Sequence, residues 1–252
     1  MNLDTDSAKV VLVIPAYNEA TAIGSVVREV RGLYPALRVI VCDDCSTDGT
    51  RAIAAAAGAE VVPLPCHLGL GGCIQTGYRL AYEMGMQAVV RIDGDGQHNP
   101  ADIPRLLARL QATGFEMIIG VRPDGASSAS SSFLRAIGSS FFKLLLRPIL
   151  GRPVADPTSG FVAVNRRALE VFSLSFPLEY PEIETLVVLQ RRAFRFEEVP
   201  VQMRPRLGGR SSIHGARYIY FMVHVLLGVL VNILRLDVWR WLGRPAIPKG
   251  GK

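Results

Sequence analysis

Lysine is nearly missing from this chain. Only Lys9, Lys143, Lys249 and Lys252 occur in 252 residues, so almost all of the basic charge behind the formal net +6 is arginine. A basic balance points to nucleic acid, an anionic membrane surface or a phosphorylated small substrate. Arginine favours forked contacts to phosphate. Nucleic acid is argued against by what else is lacking: the arginines are spread along the chain, with no helix-turn-helix, zinc-finger or RNA-binding signature among them.

Cysteine is sparse as well. Cys42, Cys45, Cys66 and Cys73 stand in a chain whose N-terminal MNLDTDSAKV has neither the basic start nor the apolar run of a signal or transit peptide. Reduced thiols in a cytosolic compartment are therefore expected. Cys42 and Cys45 form a C-x-x-C, but no second such pair and no H-x-x-x-H completes four ligands, which argues against zinc or redox chemistry. GLGG at 69–72 lacks the G-x-G-x-x-G spacing of a dinucleotide-binding oxidoreductase.

What is present is a regular alternation of short β-rich runs and helical stretches. VVLVI (10–14), RVIVC (38–42), EVVPL (60–64), AVVRI (88–92) and EMIIG (116–120) are the expected strands. Between them, 21–33 carries Ile23, Val26, Val27 and Val30 at helical spacing, and 50–57 is alanine-rich behind the possible caps Ser46, Thr47 and Asp48. Residues 100–110 follow Asn99 as N-cap, with Pro100 at the first helical position and Ile103, Leu106, Leu107 and Leu110 inward. The pattern predicts an α/β fold with a mostly parallel, Rossmann-like sheet flanked by helices. At this length, one main domain with an appendage is expected.

Ligands of such sheets bind beyond the carboxyl ends of the strands. The segments there are 15–19, 43–49, 67–72, 93–97 and 121–125, all rich in acid, glycine or polar groups. PDGASSASSS (123–132) is a low-complexity stretch that reads either as a surface linker or as an active-site lid.

RIDGDGQHNP (91–100) ends a buried run with Asp93 and Asp95. Two carboxylates so spaced can hold a divalent cation whose other positions go to diphosphate oxygens and water. Gly94 would let the backbone approach a ligand, and Gln97 offers one more oxygen. The alternative is an Asx turn feeding the next helix.

The ordered set VIPAYNE (13–19), CDDCSTDGT (42–50), GLGG (69–72), DGDGQH (93–98), DPTSGF (156–161), EEVPV (197–201) and RLGGRS (206–211) resembles family 2 glycosyltransferases over roughly residues 10–212. The subgroup it is most similar to is the dolichyl-phosphate or polyprenyl-phosphate sugar transferases. The resemblance implies a GT-A fold, a nucleotide-sugar donor, a divalent metal such as Mg²⁺ or Mn²⁺, and inversion at the anomeric carbon. It implies a base and ribose pocket at Pro15, Tyr17 and Glu19, with Asp44 and Gly71 as further nucleotide contacts. Asp93, Asp95 and Gln97 match the metal and diphosphate motif, Arg122 and Arg135 the acceptor-phosphate positions, and Arg206 and Ser211 the segment near the phosphates. The sequence departs from the family where Asn commonly precedes the first glycine of the third motif, here His67-Leu68-Gly69, and where Lys often follows the R-x-x-G-x-S serine, here Ser212.

The acceptor stays open. A sugar hydroxyl needs a base, for which Asp156, Glu182 and Glu184 are candidates. A phosphate monoester, with a second pKa of about 6, is already anionic near neutral pH and needs mainly orientation. A polyprenyl phosphate is the expected acceptor, with a hydroxyl of a lipid-linked glycan, or a non-catalytic nucleotide-sugar-binding subunit of a membrane complex, as alternatives.

Two segments bear on the membrane. YIYFMVHVLLGVLVNIL (218–234) is almost wholly apolar and is followed by Arg235, Trp239, Arg240, Trp241 and Arg244, a flank suited to an interface. It falls short of the roughly 20 apolar residues a span normally needs. The expected division is a catalytic domain at 1–212 and a C-terminal apolar helix with a basic tail at 213–252. That tail would lie on the cytoplasmic membrane face or dock on an integral membrane partner. A helix at 133–150 that mixes Phe and Leu with Arg135, Lys143 and Arg147 suits anionic lipid or core packing equally well.

Overall fold

A computed structural model of the protein describes residues 9–122 and 133–206, with Leu227 alone beyond them. Seven strands form one sheet in the order β3-β2-β1-β4-β6-β5-β7. They are β1 (Val10–Ala16), β2 (Arg38–Asp43), β3 (Glu60–Pro63), β4 (Ala88–Arg91), β5 (Met117–Val121), β6 (Val162–Asn165) and β7 (Phe196–Pro200). The five expected strands are all there. Every pairing is parallel except those of β6, which runs antiparallel to both β4 and β5.

The helices are α1 (Ile23–Leu33), α2 (Thr50–Ala56), α3 (Gly69–Glu83), α4 (Ile103–Thr113), α5 (Phe133–Leu150), α6 (Arg166–Leu174) and α7 (Pro181–Arg191). Pro100 opens not an α-helix but a 3-10 turn, Pro100–Asp102, capped by the Asn99 side chain accepting from the Ala101 N–H. The α-helix begins at Ile103 and ends at Gly114, whose φ of 62° lies in the left-handed region that glycine tolerates. GLGG is not a strand-end loop but the first turn of α3.

Alternation along the strands divides the core into two layers. Val11 and Val13 of β1 face a cluster with α3, α5, α6 and α7, including Ile74, Tyr78, Phe142, Phe172 and Leu186. Val10, Leu12 and Ile14 face the other, with α1 and α4, including Val27, Ile103 and Leu107. Each such fully buried aliphatic side chain contributes about 1.5–3 kcal/mol. Cys42 and Cys73 are buried and all four thiols are free, as expected.

Strand order fixes the location of the crevice. β2 and β3 lie to one side of β1 and β4 to the other, so the order reverses between β1 and β4, the place where open α/β sheets take ligands. The loops 15–19 and 93–97 meet there. No helix among the described residues is long and apolar enough to cross a membrane. The expected C-terminal helix and the 123–132 loop lie outside the described residues.

Gly77 sets how closely α3 approaches the sheet, since a Cβ there would sit 2.4 Å from Val13 Cγ1 and 3.1 Å from Cys42 Sγ. Gly77→Ala is expected to destabilise the fold by about 1–3 kcal/mol through overpacking, read as a lowered denaturation midpoint with an unchanged slope.

Candidate active site

The loops after β1 and β2 are clipped together by short polar side chains. Asn18, at φ 54°, donates its N–H to Ser46 Oγ at 2.9 Å, and its Oδ1 accepts from the Thr47 N–H at 2.9 Å. The Glu19 N–H reaches Thr50 Oγ1 at 2.8 Å. Asp48 closes the same clip, accepting from the N–H groups of Ala20 and Thr50.

This clip carries an open aromatic platform. The Tyr17 and His67 rings lie 4.2 Å apart at 34°, and both side chains are about half exposed. Asp44, buried, holds the platform from beneath: Oδ1 accepts the Leu68 N–H at 2.7 Å and Oδ2 lies 2.9 Å from His67 Nδ1. Exposed, tilted rings of this kind suit a planar base. His67, which the sequence marked only as a departure, is part of the platform. Gly71 stands apart from it, pressed on the 177–178 backbone, where a Cβ would come within 2.2 Å of the Pro177 carbonyl. Pro15 is buried as the penultimate residue of β1.

Across the crevice, the Asp-x-Asp segment forms the Asx turn that was the alternative reading. Asp95 Oδ1 accepts the Gln97 N–H at 2.9 Å, an Asx turn made possible by Gly96 at φ 79°. Its other oxygen, Oδ2, is paired with Arg206 Nη2 at 2.8 Å. Asp93 is held by its surroundings. Its N–H donates to His98 Nδ1 at 3.1 Å, and its Oδ2 lies 3.9 Å from His98 Nε2. The His98 ring stacks on Phe161 and is kept neutral by burial, below its ordinary range, against the pull of Asp93 and Asp95. Gly94 needs no glycine for space, since a Cβ there would make ordinary contacts of 3.4 Å or more.

Arg206 reaches the site on a short extension of β7. Met203 bridges His98, and the Arg204 N–H donates to the Gln97 carbonyl at 2.8 Å. The Arg204 guanidinium then grips Glu29 at 2.8 and 2.9 Å and Asn99 at 2.6 Å. Nothing local in the sequence announces this clamp.

Charge at the crevice is unbalanced. Glu19, Asp93 and Asp95 interact electrostatically with Arg206 among them. Burial, then Asp95, then Asp93 push the Glu19 carboxyl above its ordinary range, against Arg206, and Glu19 Oε2 is buried without a hydrogen-bond partner among the described residues. No group of three His, Cys, Asp or Glu side chains among the described residues forms a complete protein cage for a metal. Two carboxylates with excess negative charge beside them fit instead a hard cation that completes its shell with diphosphate oxygens and water.

Of the other expected residues, Arg122 follows β5 and lines an open cleft of about 420 Å³ with Asp102, Arg105 and 200–203. Asp156 caps a turn, its Oδ1 accepting from the Thr158 N–H at 3.1 Å and hydroxyl at 2.8 Å. Glu182 is paired with buried Arg91 at 3.0 Å, and Glu184 Oε1 accepts the Tyr180 N–H at 3.1 Å. Neither is presented as a base. The Arg135 side chain and Ser211 lie outside the described residues. Asp43, fully buried with Arg51 3.3 Å from its Oδ2, is a strand-end acid that the sequence analysis placed no role on.

Fold and crevice together define a GT-A-like α/β domain. The chain belongs to glycosyl transferase family 2, whose model matches residues 11–172. It is 29% identical over 245 residues to an undecaprenyl-phosphate mannosyltransferase of Micrococcus luteus, covering 93% of this chain and 97% of that one. It is 31% identical over 219 residues to a polyprenol monophosphomannose synthase of Mycolicibacterium smegmatis, covering 82% of each. Among solved structures, glucosyl-3-phosphoglycerate synthase from Mycobacterium tuberculosis, in complex with Mn²⁺, UDP and glucosyl-3-phosphoglycerate, matches with a TM-score of 0.69 at 25% identity, over 92% of this chain and 84% of that one.

Because the Glu19 carboxyl is raised, its charge opposes the ligand-free fold above the unfolded-state pKa, and that stability is recovered as pH falls. Glu19→Gln is therefore expected to raise the melting temperature of the ligand-free protein at pH 7 and to leave it nearly unchanged at pH 4. A difference that does not grow with pH would remove the charge crowding from the explanation.

Proposed function

We propose that this chain is an inverting transferase that moves one hexose from a nucleoside diphosphate sugar to the phosphate of a polyprenyl phosphate. The observation that carries the proposal is the acidic crevice between β1 and β4, where Asp93, Asp95 and Glu19 gather near Arg206 beside an aromatic platform. The names of the two mannosyltransferase relatives support a polyprenyl phosphate acceptor, and the Mn²⁺ and UDP in the structural neighbour support the donor and metal.

In this reading Tyr17 and His67 receive the base, with Pro15 and Glu19 beside the ribose and Asp44 holding the platform. Asp93 and Asp95, with Gln97, would hold Mg²⁺ or Mn²⁺. The bound ion would neutralise the diphosphate as its leaving charge develops. Arg206 then moves its charge from Asp95 to the diphosphate, and Ser211, of the same matched segment, is assigned to the phosphates as well. An oxygen of the acceptor phosphate attacks the anomeric carbon as the bond to the diphosphate oxygen breaks, which inverts that carbon. Arg122 and Arg135 orient the acceptor.

The acceptor preference rests on the carboxylates. Glu182 and Glu184 are occupied in the protein's own contacts and one oxygen of Asp156 caps a turn, an economy suited to a nucleophile that arrives deprotonated. Asp156 remains the candidate base if the acceptor is a hydroxyl. Residues 1–212 are the catalytic unit. Residues 213–252 associate with the cytoplasmic membrane face, alone or through an integral membrane partner.

Purified protein with Mg²⁺ or Mn²⁺, GDP and UDP sugars and a short-chain polyprenyl phosphate is expected to yield a glycosylated lipid phosphate by mass spectrometry. Asp95→Ala should lower that turnover by at least about a hundredfold with the fold retained. Near-normal activity in that variant would remove the metal assignment, and donor binding without lipid product would move the acceptor to a glycan hydroxyl. Removal of residues 213–252 should release the protein from liposomes in cosedimentation, and unchanged binding would locate the membrane contact elsewhere.

A further inference from the structure

AVVRI is an odd strand. Its arginine, Arg91, ends β4 in the middle of the sheet and is only 2% exposed. A buried guanidinium is costly unless it is paired, and a buried pair adds less stability than apolar side chains of the same volume. Its presence asks for a use other than stability.

The contacts of Arg91 supply one. Nε donates to the Gly160 carbonyl at 2.9 Å, and Nη2 reaches Glu182 Oε1 at 3.0 Å in the first turn of α7. Gly160 is packed on the carboxylate of Asp93: a Cβ there would lie 2.4 Å from Oδ2 and 2.6 Å from Oδ1. Only an α-hydrogen fits between that backbone and the acid. The same pair lines a cavity of about 10 Å³ with Thr185, whose buried Oγ1 has no partner among the described residues, and with Asp156 and Ser159.

We propose that the buried Arg91–Glu182 pair is a positioning device for Asp93: it fixes the Gly160 backbone, and Gly160 fixes the carboxylate that faces the metal and diphosphate. The inference rests on the metal reading given above. Arg91 touches neither donor nor acceptor. It acts through Gly160 and ties the placement of α7 to the geometry of the crevice, as outer contacts do around metal ligands. Single loss of Arg91 would leave Glu182 buried and unpaired, so the informative variant replaces both.

The test is the double variant Arg91→Met, Glu182→Leu, compared with Arg91→Lys and with Asp95→Ala. Mn²⁺ affinity is measured by electron paramagnetic resonance with UDP or GDP present, alongside unfolding midpoints and the steady-state constants. The double variant is expected to fold as well as the parent, to bind Mn²⁺ about tenfold more weakly, and to show a raised donor KM with the acceptor KM unchanged. Arg91→Lys, which cannot span both partners with a fork, should show the same loss and serves where the double variant does not fold. Parental Mn²⁺ affinity and donor KM in a folded double variant, or in Arg91→Lys, would overturn the proposal. Mn²⁺ binding to the parent that Asp95→Ala leaves intact would instead sink the metal reading, and this inference with it.

Discussion

Crowding of like charge in one crevice is the constraint around which this molecule is arranged. Glu19, Asp93 and Asp95 arrive from two strand ends, and Arg206 sits against Asp95 at 2.8 Å. Like charges so close disfavour ionisation and cost stability. The surrounding structure opposes the resulting repulsion locally: Thr50 Oγ1 holds the Glu19 backbone, the Asx turn fixes Asp95, and His98 with Gly160 fixes Asp93. Charged groups held in place beforehand need no rearrangement when a ligand arrives.

Rigidity comes from the sheet. β6, inserted antiparallel between β4 and β5, begins where β4 ends, so the segment 159–161 is brought beside Asp93. β7 lies parallel to β5, and its extension crosses the 97–98 loop to deliver Arg206. A change of register at either strand would move a wall of the crevice, because one residue of slip turns every side chain to the other face.

The opposing surface of the crevice is softer. Tyr17 and His67 are exposed and joined to the core through Asp44 and the Leu68 N–H. The acid pair, in contrast, is fixed by the Asx turn, by His98 and by Gly160.

Much of this was determined by local sequence. Short β-rich runs defined five strands, the stripe Ile23, Val26, Val27 and Val30 defined α1, and Asp93 and Asp95 at a strand end marked the crevice, because these signals depend on neighbours within a few residues. VAVN of β6 is as short as AVVR of β4 and nearly as evenly buried, but its antiparallel direction depends on partners remote in the chain. GLGG looked like a loop because glycine is permissive, yet Gly71 serves close packing of α3 on the 177–178 backbone. The partners of Asp95, Arg91 and His67 were decided only by tertiary structure: Arg206, Glu182 and Tyr17 are remote in the chain, and strand order and helix packing alone bring them within bonding distance.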